Sequence, residues 1–309
     1  MIIIQRANGN PYSFISGNAG KLLGKTLPSF KTQEENDICI CDFIKCEYEE
    51  KVFCDALNPD DYWKNDQNEF LFKRLIPTDS ISLELHKDGV KIDDLNDDTY
   101  GTFFDGFSDG TEEQQLYVGY LIDWQKVYIP FDVGKYSIVA KINVIGNFTT
   151  FESRVFNLNI YSDIAAADTV RIESYQNGNI LGNDFDFTGL NWYQSLRIGG
   201  EFGNPKPVFE TTEYVTSQYI RKQNKATMSR EWTLNTKLLS WEVVEKLVYN
   251  KLLGNEILIT DYKVKAESLW RRVKVFMKDI DKPEIVNNPN RRYNINFVDE
   301  KQIFTKRNF

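Results

Sequence analysis

The sequence predicts a mainly β protein built from β-sandwich domains. Aromatic residues make up 14% of the chain and hydrophobic residues 41%, a mixture typical of pleated, half-buried surfaces. Apolar and polar residues alternate with a period of two in several short segments, which are separated by Gly, Asn and Asp turn residues. At 309 residues, the chain is long enough for two or three domains of about 100 to 150 residues each.

The first predicted unit, residues 1–76, is a mixed β segment. Turn residues occur early, at Asn8-Gly9 and at Gly17-Asn18. Residues 58–68 are predicted to form an exposed loop because Pro, Asp and Asn are concentrated there. Pro77 begins the next unit.

The second predicted unit, residues 77–162, is a β-sandwich. Ile81, Leu83 and Leu85 alternate with polar residues, and the same alternation returns at residues 138–144 and 156–161. Strands at this spacing, separated by glycines and acidic loops, are typical of a sandwich.

The third predicted unit, residues 163–309, is a β domain with one helix. It begins with an alanine-rich linker at residues 163–168, and Asn177-Gly178 is a strong hairpin-turn signal because both residues accept positive φ. A helix is predicted at about residues 240–253, with Ser240 as its cap. Strands precede and follow it, so we expect a β-sandwich or rolled sheet with the helix on one flank.

Charge is distributed unevenly along the chain. Residues 31–113 contain 23 acidic and 8 basic residues, whereas residues 263–309 contain 12 basic and 6 acidic residues. Two interpretations remain open: the two regions meet on neighbouring subunits, or each is a solvated face. The overall charge of −8 argues against a dedicated nucleic-acid binder, which needs a clustered basic surface.

Membrane insertion, secretion and metal binding are not indicated. No apolar run approaches the roughly 18 to 20 residues that span a bilayer, and polar residues follow directly after Ile4, so we expect neither a membrane span nor a secretion leader. Cys39, Cys41, Cys46 and Cys54 contain no C-x-x-C pair. Reduced thiols are therefore favoured over a zinc site.

The residues of common catalytic centres are missing from the sequence. His86 is the sole histidine, lies on the polar face of a predicted strand, and is expected at the surface. Gly24-Lys25-Thr26 resembles the end of a phosphate-binding loop, but Ala19 stands where the first glycine is required. We therefore expect no enzyme activity and no cofactor.

Two acidic loops, residues 93–98 and 105–113, are candidates for calcium binding. Against the EF-hand pattern, Thr99 replaces the turn glycine and Asp105 stands where the bidentate glutamate belongs. Solvated loops are the favoured interpretation, and no metal site is predicted.

Three segments of the C-terminal half carry a resemblance to a known group of proteins. They are residues 169–173 (TVRIE), 255–262 (NEILITDY) and 293–300 (YNINFVDE). About half of the chain is similar to tail and baseplate components, of the distal-tail or tail-adaptor kind, from phages and prophages of Bacteroidetes.

This resemblance implies a tail-tube-like β-sandwich flanked by one helix, in a virion protein that is assembled in the host cytoplasm. The implied partners are copies of the chain in a ring and other phage tail or neck proteins. The acidic N-terminal half departs from a minimal tube subunit, which suggests an adaptor, baseplate or neck-ring role.

Two other functions remain open. A carbohydrate-binding or adhesin module would use aromatic platforms, for which the candidates are Tyr62, Trp63, Tyr100, Trp192 and Tyr193. A carboxylate-based cell-wall hydrolase would need only two acidic side chains about 5 to 9.5 Å apart, and the sequence alone does not supply that distance.

For a structural role, the interface candidates combine Trp and Arg, which are enriched in binding hot spots. The packing anchors would be Trp241 and Trp270, and the basic contacts Arg271, Arg272, Arg291 and Arg292. The alternatives are core packing for the tryptophans and solvated charge for the arginines.

Overall fold

The structure is a computed structural model, and the part of the chain that it describes is mainly β. It describes residues 31–32, 38–39, 49–58, 61, 64–73, 80–105, 117–144, 147–153, 155–176, 192–203, 205–219, 221–240, 244, 247, 252, 254–263, 273–281, 290–299 and 303–305.

The strands are numbered in chain order. They are β1 (Lys31–Thr32), β2 (Ile38–Cys39), β3 (Glu50–Cys54), β4 (Gln67–Lys73), β5 (Ser80–Lys87), β6 (Val90–Asp94), β7 (Gly101–Asp105), β8 (Tyr117–Asp123), β9 (Gly134–Val144), β10 (Asn147–Glu152), β11 (Phe156–Ile160), β12 (Thr169–Gln176), β13 (Trp192–Phe202), β14 (Lys206–Val215), β15 (Arg221–Thr236), β16 (Leu239–Ser240), β17 (Glu256–Asp261), β18 (Val273–Asp281), β19 (Asn290–Arg291), β20 (Asn294–Asp299) and β21 (Ile303–Thr305). Among the described residues, the helices with defined bounds are α1 (Trp124–Phe131) and α2 (Asp163–Ala166).

The first β unit, which we call the sandwich, consists of two sheets. One has the strand order β3-β11-β9-β5-β6, with β10 also paired to β9, and the other has the order β4-β8-β7. The sheets share a core in which the Phe70 ring lies 6.0 Å from the Phe156 ring. Leu83 and Leu85 of β5 are buried in this core as predicted, and Glu84 between them, which was predicted on the polar face, is buried as well.

The sandwich extends further toward the N-terminus than the sequence predicts. Strand β3 pairs in parallel with β11, and β4 pairs antiparallel with β8. Both β3 and β4 lie before residue 76, so the predicted boundary there does not separate these sheets. A strand needs a hydrogen-bonding neighbour, and that neighbour can be distant in sequence.

The second β unit is a sheet that closes on itself, and we call it the barrel. Its strands follow the order β13-β12-β17-β18-β20-β15, and β15 pairs back onto β13. Closure occurs where Gly200 pairs with Thr236 and Phe202 pairs with Leu234. Pairing of this kind covers a sheet edge, and here it covers β13 at residues 200–202. Phe202 stacks on Trp232 inside, with ring centroids 5.0 Å apart.

The helices differ in part from expectation. Within the predicted helix at residues 240–253, Val244 and Leu247 are helical and buried, and Leu252 is also buried. Ser240, the predicted cap, belongs to β16. The other positions lie outside the described residues. Helix α1 was not predicted. The predicted linker contains the short helix α2, which is capped by Ser162.

Strands β12 and β13, which flank the predicted turn at Asn177-Gly178, pair with each other antiparallel. Gln176 pairs with Trp192, so residues 177–191 connect the two strands. Asn177-Gly178 lies outside the described residues.

A membrane-spanning helix, judged by length and hydropathy, is not found in the described ranges.

Candidate functional site

Charged side chains are buried where the sandwich meets the barrel. Strands β3 and β4 and the loop between them contribute acidic residues, and β12 and β13 contribute both signs. Each of these residues is at most 2% exposed. We call the set the ionic junction: Glu50, Asp66, Glu69, Arg171, Glu173 and Arg197.

Asp66 lies at the centre of the ionic junction. Arg197 donates to both of its oxygens, from Nη2 at 2.7 Å and from Nε at 2.8 Å. Arg171 donates from Nη1 at 3.2 Å, and the backbone N–H of Phe53 donates at 2.8 Å. One sandwich carboxylate therefore binds two barrel guanidiniums, one of them in the bidentate geometry that gives the strongest ion pairs.

Side chains from the sandwich also bind the backbone of β13. The N–H groups of Ser195 and Arg197 donate to Glu69 at 2.9 Å and to Glu50 at 2.7 Å. Asn68 donates to the Ser195 carbonyl at 3.3 Å. Buried backbone groups need partners, and these side chains supply them where a neighbouring strand otherwise would. The contact therefore covers an edge of the barrel sheet.

An aromatic layer encloses the guanidinium of Arg197. It lies 4.1 Å from the Tyr262 ring centroid and 4.8 Å from that of Phe53. Both rings are buried together with Ala166 of α2. Burial lowers the pKa of Arg197, but the nearby charge of Asp66 raises it by more, so the guanidinium stays protonated.

Helix α1 is attached to the same network. Trp124 donates from Nε1 to Asn68 Oδ1 at 2.7 Å, and its backbone N–H donates to the Asp66 carbonyl at 3.3 Å. Its ring packs 4.9 Å from Phe156. Because the network is sealed from solvent, it does not present a reactive group to a substrate, and its physical role is to hold the two units together.

A second feature, which we call the arm, is the hairpin formed by β14 and residues 221–231 of β15. Strand β20 pairs with β15 from Glu231 onward, and β21 pairs with it only from Ala226 to Met228. Among the described residues, 221–225 therefore pair with β14 alone. At about 3.4 Å per residue, this two-stranded part extends roughly 15 Å beyond β21.

Apolar side chains of the arm are in solvent. Phe209 and Val215 are exposed, and Tyr219 in the turn is 91% exposed. Tyr219 has a φ of 61° and donates its N–H to the Thr216 carbonyl at 2.9 Å. A two-stranded ribbon alone is marginally stable in water, so exposed apolar residues on it are typical of a surface that another protein covers.

The predicted interface residues belong neither to the ionic junction nor to the arm. Arg291 is half-buried in β19, opposite Leu239 of β16, and Arg292 is exposed. The remaining candidates lie outside the described residues: Trp241, Trp270, Arg271 and Arg272.

Of the predicted sugar platforms, Tyr100 is excluded by its burial. Its ring packs 5.6 Å from Phe131, and its hydroxyl donates to Asp93 at 2.5 Å. The Tyr193 hydroxyl donates to Glu173 of the ionic junction at 3.4 Å, and its ring lies 5.4 Å from Tyr175. Tyr62 and Trp63 and the side chain of Trp192 lie outside the described residues.

The histidine lies beside an ion cluster on the sandwich. His86 Nε2 is 3.1 Å from Glu84 Oε2, and Lys141 and Lys91 contact Glu84 Oε1 at 2.6 and 3.0 Å. Burial raises the pKa of Glu84, but hydrogen bonds from these three neighbours outweigh it and lower the pKa to about 2. Glu84 is therefore a permanent anion at neutral pH.

The described part of the acidic loops is organised by local hydrogen bonds. Asp97 accepts from the Thr99 N–H at 2.9 Å, and Asp98 accepts from the Phe103 N–H at 2.6 Å. Residues 106–113 lie outside the description. No group of three or more His, Cys, Asp or Glu side chains that could hold a metal is found in the described ranges.

Of the four cysteines, Cys54 is buried in β3. Burial raises its pKa to about 12, and the charge of Asp66 adds to the effect. A thiol with such a pKa is unreactive at neutral pH. Cys39 belongs to β2, and Cys41 and Cys46 lie outside the described residues.

The residues of the ionic junction are not predicted from the sequence, although the sequence contains a weak indication of buried charge. Arg171 stands between Val170 and Ile172, and Arg197 between Leu196 and Ile198. A charged residue inside an apolar strand is unusual and requires a buried partner. The sequence does not identify that partner, because Asp66 is 105 residues from Arg171 and 131 from Arg197.

Comparisons with known proteins identify no family. No protein-family model and no curated protein matches the sequence. Among solved structures, a match is the N-terminal Ig1-2 module of the Drosophila receptor protein tyrosine phosphatase DLAR, with 11% identity and a TM-score of 0.24 over 60% of this chain and 86% of that chain.

Proposed function

We propose that this chain is a structural subunit of a phage tail, baseplate or neck, and that it assembles into a ring and joins neighbouring components without catalysing a reaction. The observation that carries the proposal is the pairing of a sealed ionic junction with an exposed arm. The first makes two β units into one rigid body, and the second offers that body a surface for a neighbour.

Rigidity is what a ring subunit requires, because each copy must hold its two contact surfaces at a constant angle for the ring to close. A hinged pair of domains usually has a small, polar and solvated interface. Here the interface charges are fully enclosed, and the apolar core runs through both units, including Leu83 of the sandwich and Ile172 of the barrel.

The arm supports a role in assembly with other subunits, rather than a role confined to holding this chain's own two units together. Its exposed aromatic side chains, Phe209 and Tyr219, are of the type that anchors protein interfaces. The segments that resemble phage tail components lie largely in β12, β17 and β20 of the barrel, and β20 pairs with β15, from which the arm extends.

Mass photometry and negative-stain imaging of the purified protein test this proposal. We expect discrete closed particles that grow from monomers as concentration rises. Replacing Phe209 and Tyr219 with Ser should abolish them with little loss of stability. A control is Ile129→Ser, which changes an exposed apolar residue of α1 and should leave assembly intact.

A chain that stays monomeric at all concentrations, with and without other virion components, would contradict the proposal. An equal effect of the Ile129 and arm variants would contradict the assignment of the arm.

A further inference from the structure

The outer edge of the arm is a long strand edge without a neighbour. Strand β14 is 10 residues long and pairs with β15, and no further strand pairs with it in the described part of the chain. The other open edges in the described sheets are shorter; for example, β6 and β7 have 5 residues each, and β21 has 3. Strand β14 therefore offers the longest described edge to which a strand of another chain can be added.

The register shows which backbone groups line this edge. The Gly203 N–H donates to the Thr233 carbonyl at 2.9 Å, so the backbone of Thr233 points toward the side of β15 that β14 occupies. Every second residue of β15 points the same way, because opposed residues alternate between bonded and non-bonded pairs. Their partners in β14 are the even-numbered residues from 206 to 212. The backbone groups of Pro207, Phe209 and Thr211 therefore point away from β15, to the open side.

The position of Pro207 agrees with this assignment. A proline has no N–H, and a sheet tolerates it where that donor is not needed, as on the open side of an edge strand. Pro207 therefore hinders strand addition at its own position, whereas Phe209 and Thr211 each offer both an N–H and a carbonyl. Both of these residues are exposed, so a neighbouring strand can reach them.

The arm gains stability when its open edge is paired. Residues 221–225 of β15 pair with β14 alone among the described strands, and a two-stranded ribbon is marginally stable in water. Added strands would supply backbone hydrogen bonds along the edge and cross-strand contacts for Phe209, which is 64% exposed. An unpaired edge of this length otherwise invites uncontrolled association.

A second copy of β14 matches this edge in length and in the face that it presents. Two equal edges can pair along most of their length when they run antiparallel about a two-fold axis perpendicular to the sheet. Such an axis keeps the same face of both strands on one side. The exposed Phe209 and Val215 of both copies would therefore share one face of a four-stranded sheet. A shorter edge, such as the 5 residues of β6, would leave much of the 10-residue β14 unpaired.

We propose that the open edge of β14 in one subunit pairs antiparallel with the same edge in a second subunit, so that two arms form one continuous sheet. This inference rests on the proposed assembly and names the partner of the arm. The contact is isologous and is complete with two copies. The second contact surface, which closes a larger particle, therefore lies elsewhere on the molecule.

A substitution that changes the backbone tests the pairing. Thr211→Pro removes the N–H that points to the open side, whereas Thr211→Ser keeps it and serves as the matched control. In mass photometry, Thr211→Pro should lose the associated species that the wild type forms at the same concentration, and Thr211→Ser should retain them. Circular dichroism should be the same for all three proteins, because Pro207 already occupies an equivalent position in the strand.

Chemical cross-linking identifies the surface that the arm contacts. Thr211→Cys treated with a bismaleimide should give a covalent dimer, and mass spectrometry should show that the link joins residue 211 of one copy to residue 211 of the other. Ile129→Cys changes an exposed residue of α1 and should give no such link between its two copies of residue 129.

The outcomes separate this inference from the proposed function. Closed particles from both the wild type and Thr211→Pro would overturn the inference and leave ring assembly standing. A link from residue 211 to a different part of a second copy would do the same. A monomeric wild type would overturn both proposals. If Thr211→Pro does not fold, the cross-link decides alone: a link between the two copies of residue 211 supports the pairing, and its absence overturns it.

Discussion

Replacing Asp66 with Asn should separate the contribution of the ionic junction from that of the apolar core. The wild-type carboxylate accepts four hydrogen bonds, three from guanidinium groups and one from the Phe53 N–H. The amide keeps the shape of the side chain, removes its charge, and turns one acceptor into a donor. Arg171 and Arg197 would then remain charged in a site from which water is excluded.

The expected loss of unfolding free energy is about 3 to 5 kcal/mol, the range found when one partner of a buried ion pair is removed. The bidentate contact to Arg197, at 2.7 and 2.8 Å, places the effect in this range. An exposed pair provides the scale for comparison. Asp168 contacts Lys237 at 2.9 Å in solvent, so Asp168→Asn should cost less than about 1 kcal/mol.

Urea unfolding followed by circular dichroism measures both variants, with differential scanning calorimetry to resolve the number of transitions. Because Asp66 joins the two units, we expect the wild type to unfold in one transition and Asp66→Asn to lower its midpoint. A loss below about 1 kcal/mol for Asp66→Asn, or a loss equal to that of Asp168→Asn, would refute the view that this carboxylate fastens the units.

Three further predictions concern the sandwich. Glu84 has a lowered pKa, so its ion pairs stabilise the fold above its ordinary pKa of 4.5, and this stability disappears as the pH falls toward 2. Glu84→Gln should therefore cost about 1 to 2 kcal/mol at pH 7 and flatten the pH dependence of the thermal midpoint in that window; an unchanged profile would contradict this. At Gly101, an added Cβ would overlap the Leu121 carbonyl oxygen of the neighbouring strand, so Gly101→Ala should destabilise by at least about 2 kcal/mol in urea titration, and a neutral effect would mean that β7 can shift freely. Trp124→Phe removes the donor to Asn68 and should cost about 1 to 3 kcal/mol, whereas wild-type stability would show that water replaces the indole.

The strands were predictable where one face is buried. Leu83 and Leu85 in β5, and Phe156 and Leu158 in β11, alternate because one side of each strand faces the core. Strand β14 of the arm lacks this apolar alternation because its outward face is not buried against a core. Pro207, Phe209, Thr211 and Glu213 all lie on one face of β14 and are all exposed, so no core imposes an apolar pattern on them.

Long-range partners were not predictable from local patterns. The parallel pairing of β3 with β11 joins residues more than 100 positions apart, such as Glu50 and Phe156, and the alternation within each strand is the same whichever neighbour it has. Helix α1 has only eight residues and contains Pro130, so it shows little helical periodicity. The ionic junction depends on long-range strand pairing and on helix α1. Neither follows from local sequence patterns, so its residues are not predicted from the sequence.

The most direct test of the proposed role is a cryo-EM reconstruction of the assembled particle at a resolution that shows side chains. We expect a closed ring in which the arm of each copy lies on its neighbour, while the sandwich and barrel keep the orientation set by Asp66, Arg171 and Arg197. Copies that contact one another with their arms free in solvent, or with the two units separated, would contradict the account.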